Sequence, residues 1–232
     1  MQIASRWLVA ATVVMTSCAN PRSWVYLPNA RLTREPVVDA SLVVPPFLDA
    51  RDSDNTSAVL LYLIPLMPFG FQNLSVPEAS TMHVWSGIWQ FKPADDLARS
   101  IAQEVDAARI FRESFNDPRA SAGDYVLRGE VRRLQYHSKM FSYGLSIYGP
   151  LLWLFGFPAS YTSNELELAL TLTRKGEDAP LWTHSITGAD SEVGWIYAGG
   201  AEFLFDRLLK DGMPAMLQSL EAYVDGTLKP RS

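Results

Sequence analysis

Leu166, Leu168, Leu170 and Leu172 alternate with Glu167, Ala169 and Thr171, and no other stretch limits the fold so tightly. A period of two puts every leucine on one face of an extended strand, and that face has to be covered. Residues 174–180 are polar and read as a hairpin turn, after which Leu181 to Thr187 returns as the partner strand. Leu127, Gly129 and Val131 form a second alternating set, opposite Arg128, Glu130 and Arg132. Ile110 to Phe115 is a further strand, closed by Asn116, Asp117 and Pro118. The β-branched cluster from Pro36 to Val44 is another, limited by Pro45 and Pro46.

Two segments carry the helical period instead. Pro93 suits a first helical position, and Asp95 and Asp96 place acids near the positive end of the helix that follows. Leu97, Ile101 and Val105 recur at i, i+4 and i+8, with Arg99, Gln103, Glu104 and Asp106 off that stripe. A last helix is expected from about Ala201 to Leu228, with Phe205, Leu208, Leu209, Met216, Leu220 and Val224 as its apolar stripe. Gly212 and Pro214 should kink or split it. The stripes are all buried by one α+β arrangement, an α/β sandwich. It has a mixed sheet of about five strands with two helices on one face. The domain runs from residue 36 to 228.

Two uncharged stretches interrupt this plan, at about 56–77 and 140–164. The first is as apolar as a membrane segment but too short to span, and Pro65, Pro68 and Gly70 break it. The second holds Phe141, Tyr143, Tyr148, Trp153, Phe155, Phe157 and Tyr161 among Gly144, Gly149, Pro150, Gly156 and Pro158. Its prolines and glycines argue against a spanning helix. Either it is a lobe folded over the sheet or it is an exposed apolar surface, used for a partner subunit or dipped into the membrane interface beside the anchor. Since one acyl anchor needs no such loop to stay on a membrane, protein contact is the first expectation. On the second reading, Leu63, Phe69, Phe71, Tyr143, Tyr148, Trp153, Phe155 and Phe157 form the interaction surface. Two insertions of like character hanging off one sheet suggest that the surface is shared.

Charge and sulfur narrow the function classes. Charged residues make up 19% of the chain and the formal net charge is −5, without the clustered Lys and Arg that a phosphate-binding face needs. Nucleic acid is therefore not an expected partner. Cys18 is the single cysteine. It stands directly after an apolar run from Trp7 to Met15, itself preceded by the weakly positive Gln2 to Arg6. That is the layout of a secretory leader, too short for a spanning helix. The segment resembles the lipobox of bacterial lipoproteins, with Met15, Thr16, Ser17 and Cys18 in place of Leu, two small residues and Cys. The resemblance implies a signal peptide over residues 1–17 and lipidation of Cys18. A tether over 18–35 then lifts the domain off the membrane. Ala19 and Asn20 are not the Asp that retains such proteins at the inner membrane, so an outer-membrane protein facing the periplasm is implied. With Cys18 lipidated, no thiol remains for a disulfide, a metal or a nucleophile, and packing alone holds the fold.

A second resemblance covers about half the chain. Residues 42–49, the helix after Pro93 and residues 122–131, with Asp124, Tyr125, Val126, Leu127 and Gly129, are similar to the amino-terminal domain of TolB. They also resemble the related curli and Pel secretion accessory lipoproteins. In those families a strand ending in Pro-Phe-x-Asp precedes a helix, and an Asp-Tyr-Val-Leu-x-Gly strand follows. The likeness implies a fold, an envelope compartment and a secretion accessory role. The two apolar insertions depart from that pattern, so no relative's partner transfers with it.

No catalytic constellation accompanies these features. Around Ser146, the second glycine of Gly144 to Gly149 comes three places after the serine, not the two a nucleophile elbow needs. His83, His137 and His184 are far apart in sequence, each without a second ligand nearby. Asp49, Asp52, Asp54 and Asn55 lack the glycine and distal glutamate of an EF-hand. The expected role is a non-catalytic, lipid-anchored scaffold or assembly accessory that needs no cofactor. Its partners are the membrane, through Cys18, and an envelope protein or a second copy of itself. A lipoprotein that closes its insertions over an apolar ligand such as a lipid is the alternative.

Overall fold

The computed structural model describes residues 22–52, 54–75, 82–83, 87–198 and 204–228; Cys18 and the leader lie outside them. In chain order the strands are β1 (Arg22–Ser23), β2 (Val38–Val44), β3 (Leu48–Asp49), β4 (Asn55–Ala58), β5 (Phe69–Leu74), β6 (Met82–His83) and β7 (Gly87–Gln90). Then come β8 (Phe111–Asn116), β9 (Tyr125–Phe141), β10 (Ser160–Arg174) and β11 (Trp182–Gly194). The α-helices are α1 (Pro93–Ala107), α2 (Pro150–Leu154) and α3 (Phe205–Tyr223). The α+β class expected from the periods is the one observed.

The main sheet runs β11-β10-β9-β2-β8, with β3, β4 and β5 joined to it in an eight-stranded whole. Strand β10 pairs antiparallel with β11 on one edge and with β9 along the other. The free edge of β9 is shared. Its first half takes β2 and β3 in parallel, and its second half takes β5 antiparallel. Residue Arg132 is skipped in the pairing, since Leu168 faces Val131 while Glu167 faces Arg133. This bulge lets Val131 and Leu134 both face the core, although an odd and an even position would otherwise point opposite ways.

Helices α1 and α3 cover one face, and Leu97, Ile101, Val105, Leu208, Leu209, Met216 and Leu220 join the strand leucines in one buried cluster. The other face of β11 is left to solvent at Thr183, Ser185 and Thr187. Asp124, at the entry to β9, has a structural duty. The Asp124 carboxylate accepts the Ser41 backbone N–H at 2.9 Å and its hydroxyl at 2.8 Å, tying β2 to β9. Those two donors hold it below the usual carboxylate range.

Two expectations need correction. Within the expected tether of residues 18–35, the described part forms a strap from Trp24 onward. Trp24 and Tyr26 are buried, and Tyr26 Oη donates to the buried Glu104 carboxylate at 2.6 Å. Asn29 adds its backbone and side-chain N–H to the same carboxylate, and Leu32 N–H donates to Ala107 O at 2.8 Å. Aromatic area at every second residue outweighed the absence of a regular period. Burial, with the bond to Glu104, raises the Tyr26 phenol above its ordinary value.

The second correction concerns α3, which is neither split nor ended by Gly212 and Pro214. It continues through both, with Pro214 inside it, and gives way to a π-turn at Val224–Leu228. Gly212 is a contact residue. A Cβ there would lie 2.4 Å from Ile186 Cγ2, so the glycine lets the helix sit close to β11. Gly212→Ala should therefore destabilise the fold despite alanine's roughly 1 kcal/mol advantage in a helix interior. In a urea-denaturation cycle Ile186→Ala should recover part of that loss. Simple additivity of the two would place the origin elsewhere.

Candidate functional site

Strands β9 and β10 run on past the helices, and both uncharged stretches gather at their far end. The first insertion is a hairpin of β4 and β5 capped by a 3-10 turn at Val59–Leu63. Its pairing with the second half of β9 makes part of it a continuation of the sheet. The second is shorter than its lack of charge suggested, because β9 extends to Phe141 and β10 begins at Ser160. Between them lie a 3-10 turn at Ser146–Tyr148 and the single helical turn of α2.

The two segments interlock into one lobe. Leu66 N–H donates to Gly144 O at 2.8 Å, and the N–H groups of Ser142 and Tyr143 both donate to Pro68 O at 2.9 Å. The hydroxyls of Ser142 and Ser146 donate to the carbonyls of Met67 and Leu63. Trp153 is the internal anchor, 8% exposed, with its Nε1–H bonded to Phe141 O at 3.0 Å and its ring 6.4 Å from that of Tyr62. Tyr143 Oη donates to Pro158 O at 2.6 Å. Burial raises the phenol pKa of both Tyr62 and Tyr143. A Cβ on Gly149 would come within 2.6 Å of Ser142 O, a measure of how closely the turns are stacked.

The outside of the lobe is apolar. Phe155 is 80% exposed and Leu66 88%, and Leu60, Leu63, Ile64, Leu145, Ile147, Tyr148, Leu151, Leu154 and Phe157 are exposed beside them. Tyr197, from the turn after β11, reaches in to bond Leu154 O at 2.8 Å. Of the eight residues expected to form the surface, Leu63, Tyr148, Phe155 and Phe157 lie on it. Phe69, Phe71 and Tyr143 are half-buried, with the Lys139 ammonium 5.1 Å above the Phe69 ring. Trp153 belongs inside, not on the surface. The aliphatic members of the patch were missed by favouring aromatic residues, although the same absence of charge marked them.

The backbone at this end is strained. Among the described residues the non-glycine positions with positive φ are Leu66 (72°), Arg109 (56°), Tyr143 (57°) and Ser146 (54°). Three of those four are in the lobe, each fixed by a hydrogen bond between the two insertions. A left-handed residue other than glycine or asparagine costs about 1–2 kcal/mol. Leu66 bears that cost while its side chain stands in solvent.

His137, His184 and Asp49 have ordinary neighbours, and the His83 side chain lies outside the described residues. His137 hydrogen-bonds Asn73 on β5, and burial together with Lys139 lowers its pKa. His184 stacks on Trp182 with centroids 5.6 Å apart. Asp49 pairs with Arg51 at 2.6 Å. Among the described residues no three His, Cys, Asp or Glu side chains come together as a metal site would require. No described helix is long and apolar enough to cross a membrane.

No protein-family model matches the chain, and no curated protein matches its sequence. One solved structure similar in outline is that of a DUF330-family protein from Xanthomonas campestris, at 15% identity and a TM-score of 0.46. The match covers 90% of this chain and 98% of that one. So loose a likeness says nothing of what either protein does.

Leu66 and Trp153 should behave as opposites. Leu66→Asn relieves the left-handed strain and removes almost no buried area, so stability should be unchanged or rise by up to about 1 kcal/mol. Trp153→Ala should cost about 3 kcal/mol. Hydrogen exchange should then speed up across 142–158 and 60–68 together, because the two insertions share that anchor. Faster exchange in one insertion alone would contradict the interlocked lobe.

Proposed function

We propose that this chain is a lipid-anchored bacterial envelope protein without a catalytic role. It acts as a scaffold or secretion accessory and seats itself on an apolar surface of the envelope through the lobe. The observation that carries the reading is the lobe itself. Two segments distant in sequence, both without charge, interlock at one end of the sheet and turn their polar groups inward. An exposed apolar patch of that extent marks an interaction site. The layout ending at Cys18 supports the anchor and the compartment, and the TolB-like motifs support the accessory role.

The alternative is closure of the insertions over an apolar ligand. The burial of Trp153, Ser142 and Ser146 between the insertions and the close stacking at Gly149 favour the first reading.

Cys18→Ser should abolish incorporation of radiolabelled palmitate and leave the leader attached; label entering the variant would remove the anchor from this reading. Excision of 145–157 is structurally feasible, since Phe141 N–H already donates to Ala159 O at 3.0 Å across the gap. The excised protein should still take palmitate and melt cooperatively, but washed envelopes should release it under milder treatment. Loss of the cooperative transition would return the segment to the core.

A further inference from the structure

We infer that the surface on which the lobe sits is the lipid bilayer: its tip enters the headgroup and upper acyl region of the membrane that holds Cys18. This deepens the proposed function and rests on its anchored-protein reading.

Three observations point to lipid over protein. The first is backbone satisfaction. A loop entering hydrocarbon finds no water to bond its amides, so such loops have to close their own hydrogen bonds. This lobe does so in sequence. Tyr148 N–H donates to Leu145 O, Gly149 to Ser146 O, Leu152 to Gly149 O, Phe155 and Phe157 to Leu152 O, and Gly156 to Trp153 O. In the other insertion Ile64 donates to Leu61 O and Met67 to Ile64 O.

The second is the lack of anything to direct a protein partner. Protein interfaces carry a polar rim and about one hydrogen bond per 100–200 Å². Here the serines and the Trp153 indole are spent internally, and residues 55–75 and 140–164 contain no charged residue. The exposed Tyr148 and Tyr197, with the partly exposed Trp195, suit the boundary between headgroups and acyl chains.

The third is the direction in which the described chain points at Arg22. β2 runs parallel to β9, toward the lobe. Phe47, just after β2, donates to Ala94 O at the start of α1, whereas Val37, just before it, donates to Arg109 O beyond the end of α1. α1 therefore starts at its lobe-facing end. The strap lies along α1 with Leu32 at the far end and Trp24 against Phe91 at the near end, 5.0 Å between ring centroids. Followed back toward residue 22, the chain heads for the lobe. Phe91 stacks on Phe205, one turn before Leu208, which contacts Gly188. Gly188 is level with Leu166 and so with Leu134. Seven residues of β9 from there to Phe141 rise about 23 Å. Six residues of chain from Trp24 back to Cys18 can span about 20 Å. That reach brings an anchor at Cys18 close to the level of Phe141, where the lobe begins.

The test uses the full, lipidated chain, in which a new cysteine is the single free thiol. Phe155→Cys carries an environment-sensitive fluorophore in one preparation, and Thr187→Cys, on the open face of β11, carries it in another. Each is reconstituted into protein-free vesicles of phosphatidylethanolamine and phosphatidylglycerol. At position 155 the emission should shift to the blue, iodide quenching should fall several-fold, and brominated acyl chains should quench. None of this should occur at 187. A probe at 155 that stays open to iodide, on protein that carries palmitate, overturns the bilayer inference and leaves the anchored-protein reading standing. Shielding that grows with protein concentration in detergent makes the occupant a second copy. Shielding seen only in native envelopes makes it a protein. Either outcome also overturns the inference. Absence of palmitate would instead count against the underlying reading.

Discussion

Everything in this fold depends on the pairing of β9 with β10, and that pairing depends on one extra residue. β10 keeps its inward positions on even numbers from Ser160 to Leu172. β9 places Leu127, Gly129 and Val131 inward on odd numbers, then Leu134 and Tyr136 on even ones. Without the bulge at Arg132, the second half of β9 would present Arg133 and Gln135 to the core and Leu134 and Tyr136 to water. With it, seventeen residues stay in one ladder, and both halves bury the correct face. Two charged side chains in a row, Arg132 and Arg133, are the local sequence mark of that change of phase.

A strand of such length has a further consequence. The helices cover only the first part of the sheet, and the ladder continues beyond them. The backbone of the overrun has to be paired, and β5 pairs it on the free edge of β9. The first insertion is thereby drawn beside the turn that joins β9 to β10. The lobe follows from the register: once β5 faces Tyr136 to Phe141, Pro68 must lie next to Ser142 and Tyr143. The strained residues sit where those two turns meet. At Leu66, whose apolar side chain is exposed, packing does not explain the strain, since asparagine or glycine would serve the fold at least as well there.

This origin also explains what could be read from the chain and what could not. Alternation at Leu166 to Leu172 and the stripe through Leu97, Ile101 and Val105 are short-range patterns, and strand, helix and buried face follow from them directly. The continuation of β9 beyond Leu134 was hidden because the bulge breaks the period on which strand recognition relies. The strap was hidden for a related reason. Trp24 and Tyr26 alternate over too few residues to give a period, and the buried Glu104 that receives Tyr26 is 78 residues away. At the lobe, the missing charge revealed which residues take part but not which way each one points. Trp153 and Phe155 are alike as sequence. They differ because the first lies against Tyr62, from the other insertion, and the second is exposed.

The strap bears on how an anchored protein of this shape would sit. A free tether from Cys18 to Glu35 would let the body sample a large volume and nearly every orientation. Held on α1 by Glu104 and by the Leu32 bond to Ala107, and paired with β7 through β1, the chain belongs to the body from Arg22 onward, so an anchor at Cys18 would be joined to it by only a few residues. A short link raises the effective concentration of a second contact near the first, so a tip too weak to bind lipid alone can stay seated once the anchor is in place. Two attachments also fix a direction. If the lobe is seated and the chain anchored beside it as proposed, β9, β10 and β11 would stand away from the membrane. Their uncovered face, with Thr183, Ser185 and Thr187, is then turned to the surrounding solution, where a scaffold would be read.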